Sequence, residues 1–132
     1  MAQLIAPKGI RMAVRFWLCA AIATASALVS AGFSIAGVIR PSGADIFAQY
    51  AASRSIALVI AALLCMAFRT RNGIAALALV MTLVQVFDGL IGALAHDAAK
   101  TYGPFVFAFA NAAALAWLLR TPEVSNEARN SA

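Results

Sequence analysis

Residues 50–96 read YAASRSIALVIAALLCMAFRTRNGIAALALVMTLVQVFDGLIGALAH, two apolar runs folded back on each other at Arg69-Thr70-Arg71-Asn72-Gly73. Each run carries a single ionisable residue deep inside it, Arg54 in the first and Asp88 in the second. Arg54 stands 14 residues before Phe68 and Asp88 stands 15 residues after Gly73. At a helical rise of about 1.5 Å per residue, both lie roughly 21–23 Å from the hairpin tip. In a hydrocarbon layer about 30 Å thick, that depth is the third of the membrane opposite the hairpin loop. An unpaired charge there costs at least ~2.5 kcal/mol, a cost that pairing relieves. The spacing therefore predicts Arg54 and Asp88 as partners across the second and third membrane helices.

The rest of the chain is consistent with a bilayer setting. Hydrophobic residues make up 64% of 132 and charged residues 11%, with a mean hydropathy of +0.89. Soluble domains hold roughly 45–50% apolar and 25% charged residues. The segments outside the apolar runs are short, which leaves room for one domain and no soluble catalytic module. The net charge of +5 does not point to nucleic acid, because the basic residues flank apolar runs instead of clustering on a polar, aromatic-studded surface. Cys19 and Cys65 lie within apolar runs without CxxC spacing, so they read as small core residues and not as a disulfide framework or redox dithiol.

Taken in order, residues 1–13 carry Lys8 and Arg11 without a helical stripe and read as a cytoplasmic tail. Residues 14–120 form the membrane domain, with spans at 14–39, 44–68, 74–95 and 104–120. In the first span, Ser26, Ser30 and Ser34 recur every four residues and are joined by Gly37, a small-residue stripe suited to close packing and interhelical hydrogen bonds. A rival reading takes Lys8, Arg11, Arg15 and the small residues Val29-Ser30-Ala31 as a signal peptide with its cleavage site, but the apolar run continues past Ala31. Ser42 and Asp45 suit the start of the second span. That span presents Tyr50, Ser53, Arg54, Ala57, Ala61 and Cys65 at helical spacing, mostly small residues. Asn72-Gly73 is expected to close the hairpin. The third span places Thr82, Gln85, Asp88, Gly89, Gly92 and His96 within one broad side, expected to face inward. His96 to Tyr102 reads as a polar connection, and Gly103-Pro104 as the start of the fourth span. There Ala108, Ala112 and Ala116 form a smooth stripe, and Asn111 is the lone polar group near the midplane. Residues 121–132 read as a disordered tail.

Basic residues give the orientation. Lys8, Arg11, Arg15, Arg69, Arg71, Arg120 and Arg129 share one side of a four-span arrangement, and Arg40 and Lys100 the other. The imbalance places both termini and the central hairpin in the cytoplasm. Trp17 and Trp117 then lie at the cytoplasmic interface and Tyr50 and Tyr102 near the outer one, as amphipathic rings prefer. The expected fold is an all-α bundle of four antiparallel transmembrane helices in a bacterial inner membrane.

A buried arginine offers five donors and keeps its charge, so it can hold a carboxylate or receive an anionic or carbonyl-bearing ligand. Gln85 lies one turn before Asp88, and Tyr50 one turn before Arg54. The candidate pocket, near the outer leaflet, comprises Tyr50, Arg54, Gln85, Asp88, His96 and Asn111. The bland alternative is that the pair only locks two helices while Arg54 snorkels outward. Similarly, a midplane asparagine is commonly interhelical glue, and His96, with no second histidine, reads as a solvated loop residue. No metal or haem site and no cofactor is expected.

Four spans, the Tyr50-x-x-x-Arg54 set, a basic hairpin at Arg69 and Arg71 and an aspartate late in the third span, Asp88, resemble the small bacterial four-helix membrane proteins of the DoxX-like type. The resemblance covers roughly residues 14–120. It implies association with quinone or thiosulfate redox complexes, often as an accessory subunit. This chain has no cysteine pair or cofactor motif to carry such chemistry itself. Small multidrug transporters share the size and span number but depend on a glutamate in helix one, where this chain has no acidic residue. The expected function is that of a non-enzymatic accessory or binding protein for a lipophilic or anionic small molecule, self-associated or bound to a membrane partner. The alternative is a proton-coupled small-molecule transporter or small intramembrane enzyme using Asp88.

Overall fold

The computed structural model describes residues 8–39 and 46–120 and is all-α. Its helices are α1 (Lys8–Val38), α2 (Ile46–Ala67), α3 (Arg71–Leu94) and α4 (Ala98–Leu119). All four are long and apolar enough to cross a membrane. Even the 22-residue helices rise about 33 Å, enough for a hydrocarbon layer of about 30 Å.

In lipid, apolar faces gain little by meeting one another instead of acyl chains, so small residues and interhelical hydrogen bonds must hold the bundle. The serine stripe of α1 supplies both, and each serine hydroxyl meets a different helix. Asn111 Nδ2 of α4 donates to Ser26 Oγ at 2.6 Å, and Gln85 Nε2 of α3 donates to Ser30 Oγ at 3.2 Å. Ser34 Oγ lies 3.2 Å from Ser55 Oγ of α2. Ser34 already donates its proton to the Ser30 carbonyl, so Ser55 is the donor in that pair. Helix α1 is thus hydrogen-bonded to each of the other three. Around it, Cys19, Ala20, Ile74, Ala78, Ala114 and Leu118 form one core cluster, with Cys65 packed against it. Ala23, Ala27, Ala62, Leu77 and Met81 form a second.

The pairing of helices departs from the expectation of a packed α2–α3 hairpin. Helix α2 lies chiefly on α1 and α3 chiefly on α4, while α2 and α3 meet sparsely. The buried face of α2 is accordingly Ala52, Ser55 and Ala62, and Ser53, Arg54 and Ala57 are exposed. On α4, Ala108, Asn111, Ala114 and Leu118 are buried, whereas Ala112 and Ala116 of the expected stripe are exposed. Alanine is small on every face of these helices, so its spacing does not say which face a neighbour chooses.

Helix ends differ as well. Helix α1 begins at Lys8, ahead of the expected residue 14, because Gly9 to Val14 are exposed and leave no stripe to read although Arg, Met and Ala favour the helix. The α2–α3 corner is Phe68-Arg69-Thr70, with Arg69 in the left-handed region at φ 50°, and Asn72 and Gly73 lie inside α3. Arg69 N–H donates to the Met66 carbonyl and Thr70 N–H to the Cys65 carbonyl, the paired bonds of a Schellman ending. The α3–α4 corner repeats this: His96 sits at φ 55°, its N–H bonds the Ala93 carbonyl, and Asp97 N–H bonds the Gly92 carbonyl.

Helix α4 starts at Ala98, not at Gly103-Pro104, because Asp97 caps it by accepting from the Lys100 amide at 3.2 Å. Pro104 lies inside the helix, where it has no N–H to give the Lys100 carbonyl. Gly92 of α3 packs against that carbonyl so closely that a Cβ there would collide with it. At the other end of α3, Arg71 Nη2 donates to the Leu118 carbonyl at 2.8 Å, satisfying an acceptor at the end of α4. Residues 1–7 of the expected tail 1–13, the expected tail 121–132 and the turn carrying Ser42 and Asp45 lie outside the described residues, whereas residues 8–13 of the first tail are helical.

Candidate functional site

Where α2 and α3 fail to pack, a groove of about 710 Å³ remains, with all four helices contributing to its wall. It occupies the end of the bundle formed by the late parts of α1 and α3 and the early parts of α2 and α4. Ser30 and Ser34 line it from α1, Ala51 and Arg54 from α2, Gln85 and Asp88 from α3, and Lys100 and Phe107 from α4.

Arg54 and Asp88 meet across this opening, with Nη2 and Oδ1 at 3.8 Å. That distance allows charge attraction but is too long for a hydrogen bond. The Arg54 side chain is 55% exposed and that of Asp88 34%, so the pair is loose and open to the groove. Neither side chain makes a hydrogen bond to another described residue. Gln85, by contrast, is fixed. It is 3% exposed, and its Nε2 reaches the Ser26 carbonyl at 3.5 Å and Ser30 Oγ at 3.2 Å.

The sequence-derived candidates divide into two groups. Arg54, Gln85 and Asp88 line the groove together. Tyr50, His96 and Asn111 do not. Tyr50 is 68% exposed, its side chain carried on the outer surface of α2. His96 is the exposed left-handed residue of the α3–α4 corner. Asn111 is wholly buried, bonded to Ser26 and to the Phe107 carbonyl at 2.9 Å, and ties α4 to α1.

Sequence reasoning missed Lys100, because the polar stretch around it reads as a connection. As the third residue of α4 it faces the groove, and its Nζ pairs with Asp97 Oδ2 at 2.9 Å. The signal was the Asp97-x-x-Lys100 spacing, which suits both a helix cap and an ion pair. The hydrogen bonds from the Lys100 side chain and backbone hold the Asp97 carboxyl below the ordinary carboxylate range. Among the described residues, no three His, Cys, Asp or Glu side chains gather as a metal ion would need. No protein-family model, curated protein or solved structure matches the chain.

Proposed function

We propose that this multi-pass membrane protein is a non-enzymatic binding or accessory protein of the DoxX-like type. Its working site is the groove around Arg54 and Asp88, and its ligand is a lipophilic or anionic small molecule. Four antiparallel spans, with both termini and the α2–α3 corner in the cytoplasm, put the groove in the outer half of a bacterial inner membrane. The excess of basic residues at the opposite end supports that orientation. The observation that carries the reading is the loose Arg54–Asp88 pair set in a groove to which every helix contributes. A pair serving only to lock α2 to α3 would sit in a packed interface with hydrogen-bonding geometry.

A second reading, a proton-coupled carrier, is favoured by the carboxylate of Asp88 within the groove wall. Native mass spectrometry of the gently purified chain and uptake into proteoliposomes distinguish the two. The binding reading expects a copurifying small molecule that the double variant Arg54→Met, Asp88→Leu no longer retains, and no pH-driven uptake. Uptake that depends on pH and disappears in a folded Asp88→Asn variant would establish the carrier instead.

A further inference from the structure

The charges and surfaces of the groove point to one ligand chemistry, an inference that rests on the binding reading above. Among the described residues, three charged side chains line the groove: Arg54 from α2, Asp88 from α3 and Lys100 from α4. The two cations are unequally engaged. Lys100 is held by Asp97 at 2.9 Å, whereas among the described residues Arg54 has only the 3.8 Å approach of Asp88. A guanidinium carries five donors in a planar fork suited to the oxygens of a carboxylate or phosphate, and here none of them reaches a hydrogen-bond acceptor among the described residues. Arg54 lies eight residues into α2, about 12 Å along the helix from its start.

The remainder of the wall is largely apolar, with Val29, Phe33, Ile91, Pro104 and Phe107 among its residues. It follows α3 from Gln85 to Ala95, about 15 Å of helix. A small hydrophilic anion would satisfy Arg54 and leave that wall unfilled, and a neutral hydrocarbon would do the reverse. We infer that the groove takes an anionic amphiphile, a phosphate or carboxylate head on a single hydrocarbon chain. The head lies on Arg54, and the chain runs along the apolar wall. Asp88 is then the internal anion that occupies Arg54 when the head is absent, and the two compete.

The test uses the full chain in detergent and native mass spectrometry with three probes: dodecyl phosphate, dodecylglycerol and inorganic phosphate. One dodecyl phosphate is expected per chain, about tenfold tighter than dodecylglycerol, the scale of a charge-assisted hydrogen bond. Inorganic phosphate should give no adduct. Arg54→Gln should reduce dodecyl phosphate to the level of dodecylglycerol, Arg54→Lys should retain part of the preference, and Asp88→Asn should tighten binding by removing the competitor. Gly103 lines the groove with open space where a Cβ would lie, so Gly103→Leu should fill it without strain and weaken both amphiphiles. Equal binding of both amphiphiles, abolished by Gly103→Leu, would overturn the anionic head and leave the groove as a binding site. Binding of inorganic phosphate as tight as that of dodecyl phosphate would overturn the chain. Adducts indifferent to Gly103→Leu, or none at all, would overturn the binding reading itself.

Discussion

Gly92 shows how little room the residue scale leaves in this bundle. A Cβ at that position would meet the Lys100 carbonyl group and lie 2.8 Å from the Thr101 amide nitrogen, all backbone atoms that cannot swing aside. Gly92→Ala must therefore push α3 and α4 apart at the edge of the groove, although alanine is the better helix former. Overpacking of this kind costs about 1–3 kcal/mol, and thermal unfolding in detergent should show a lowered midpoint. Gly89 is more forgiving, because its close neighbour is the Phe105 ring, a side chain. At this scale the sequence was informative about which polar residues are special, and less so about their tasks. Arg54, Gln85 and Asp88 stood out because each is polar within an apolar run, and they do share one groove. Asn111 stood out for the same reason but is used to tie α4 to α1. A polar group in lipid must find a partner, and a ligand or a neighbouring helix satisfies the same rule.

The elements are set by their ends as much as by their apolar runs. Both short corners close on a non-glycine residue in the left-handed region, Arg69 at φ 50° and His96 at φ 55°. That conformation costs an L-residue roughly 1–2 kcal/mol, which glycine avoids. His96→Gly should thus raise stability by about 1 kcal/mol, read from the unfolding midpoint. The next residue controls α4. The Asp97 carboxyl, held below its ordinary value by Lys100, stabilises the capped helix above the usual carboxylate range. Because the folded-state value is the lower one, this contribution is lost as pH falls through it. Hydrogen-exchange protection of the first amides of α4, taken relative to their intrinsic rates, should fall in acid for the wild type, and Asp97→Ala should lack it at every pH. The apolar runs disclosed four spans, but not the starts at Lys8 and Ala98, which lie in polar flanks where capping and intrinsic propensity decide. The choice of partner helices was equally hidden, since lipid removes the hydrophobic bias that would single out one face.

For the molecule as a whole, the consequence of pairing α2 with α1 and α3 with α4 is that Arg54 and Asp88 look at each other across an opening instead of through a packed seam. Equal depth on the two arms brought them together, a relation legible from the count of residues on either side of the corner. The groove itself was not legible, because it arises from what α2 and α3 leave unfilled. The account stands on the energetic linkage of these two charges, and a double-mutant cycle in lipid nanodiscs measures it directly. Arg54→Met and Asp88→Leu should each lower the unfolding midpoint by leaving one charge alone in the membrane, and the double variant should regain at least half of the summed loss. Losses that simply add in the double variant would show that the two side chains do not depend on each other, and would contradict the account.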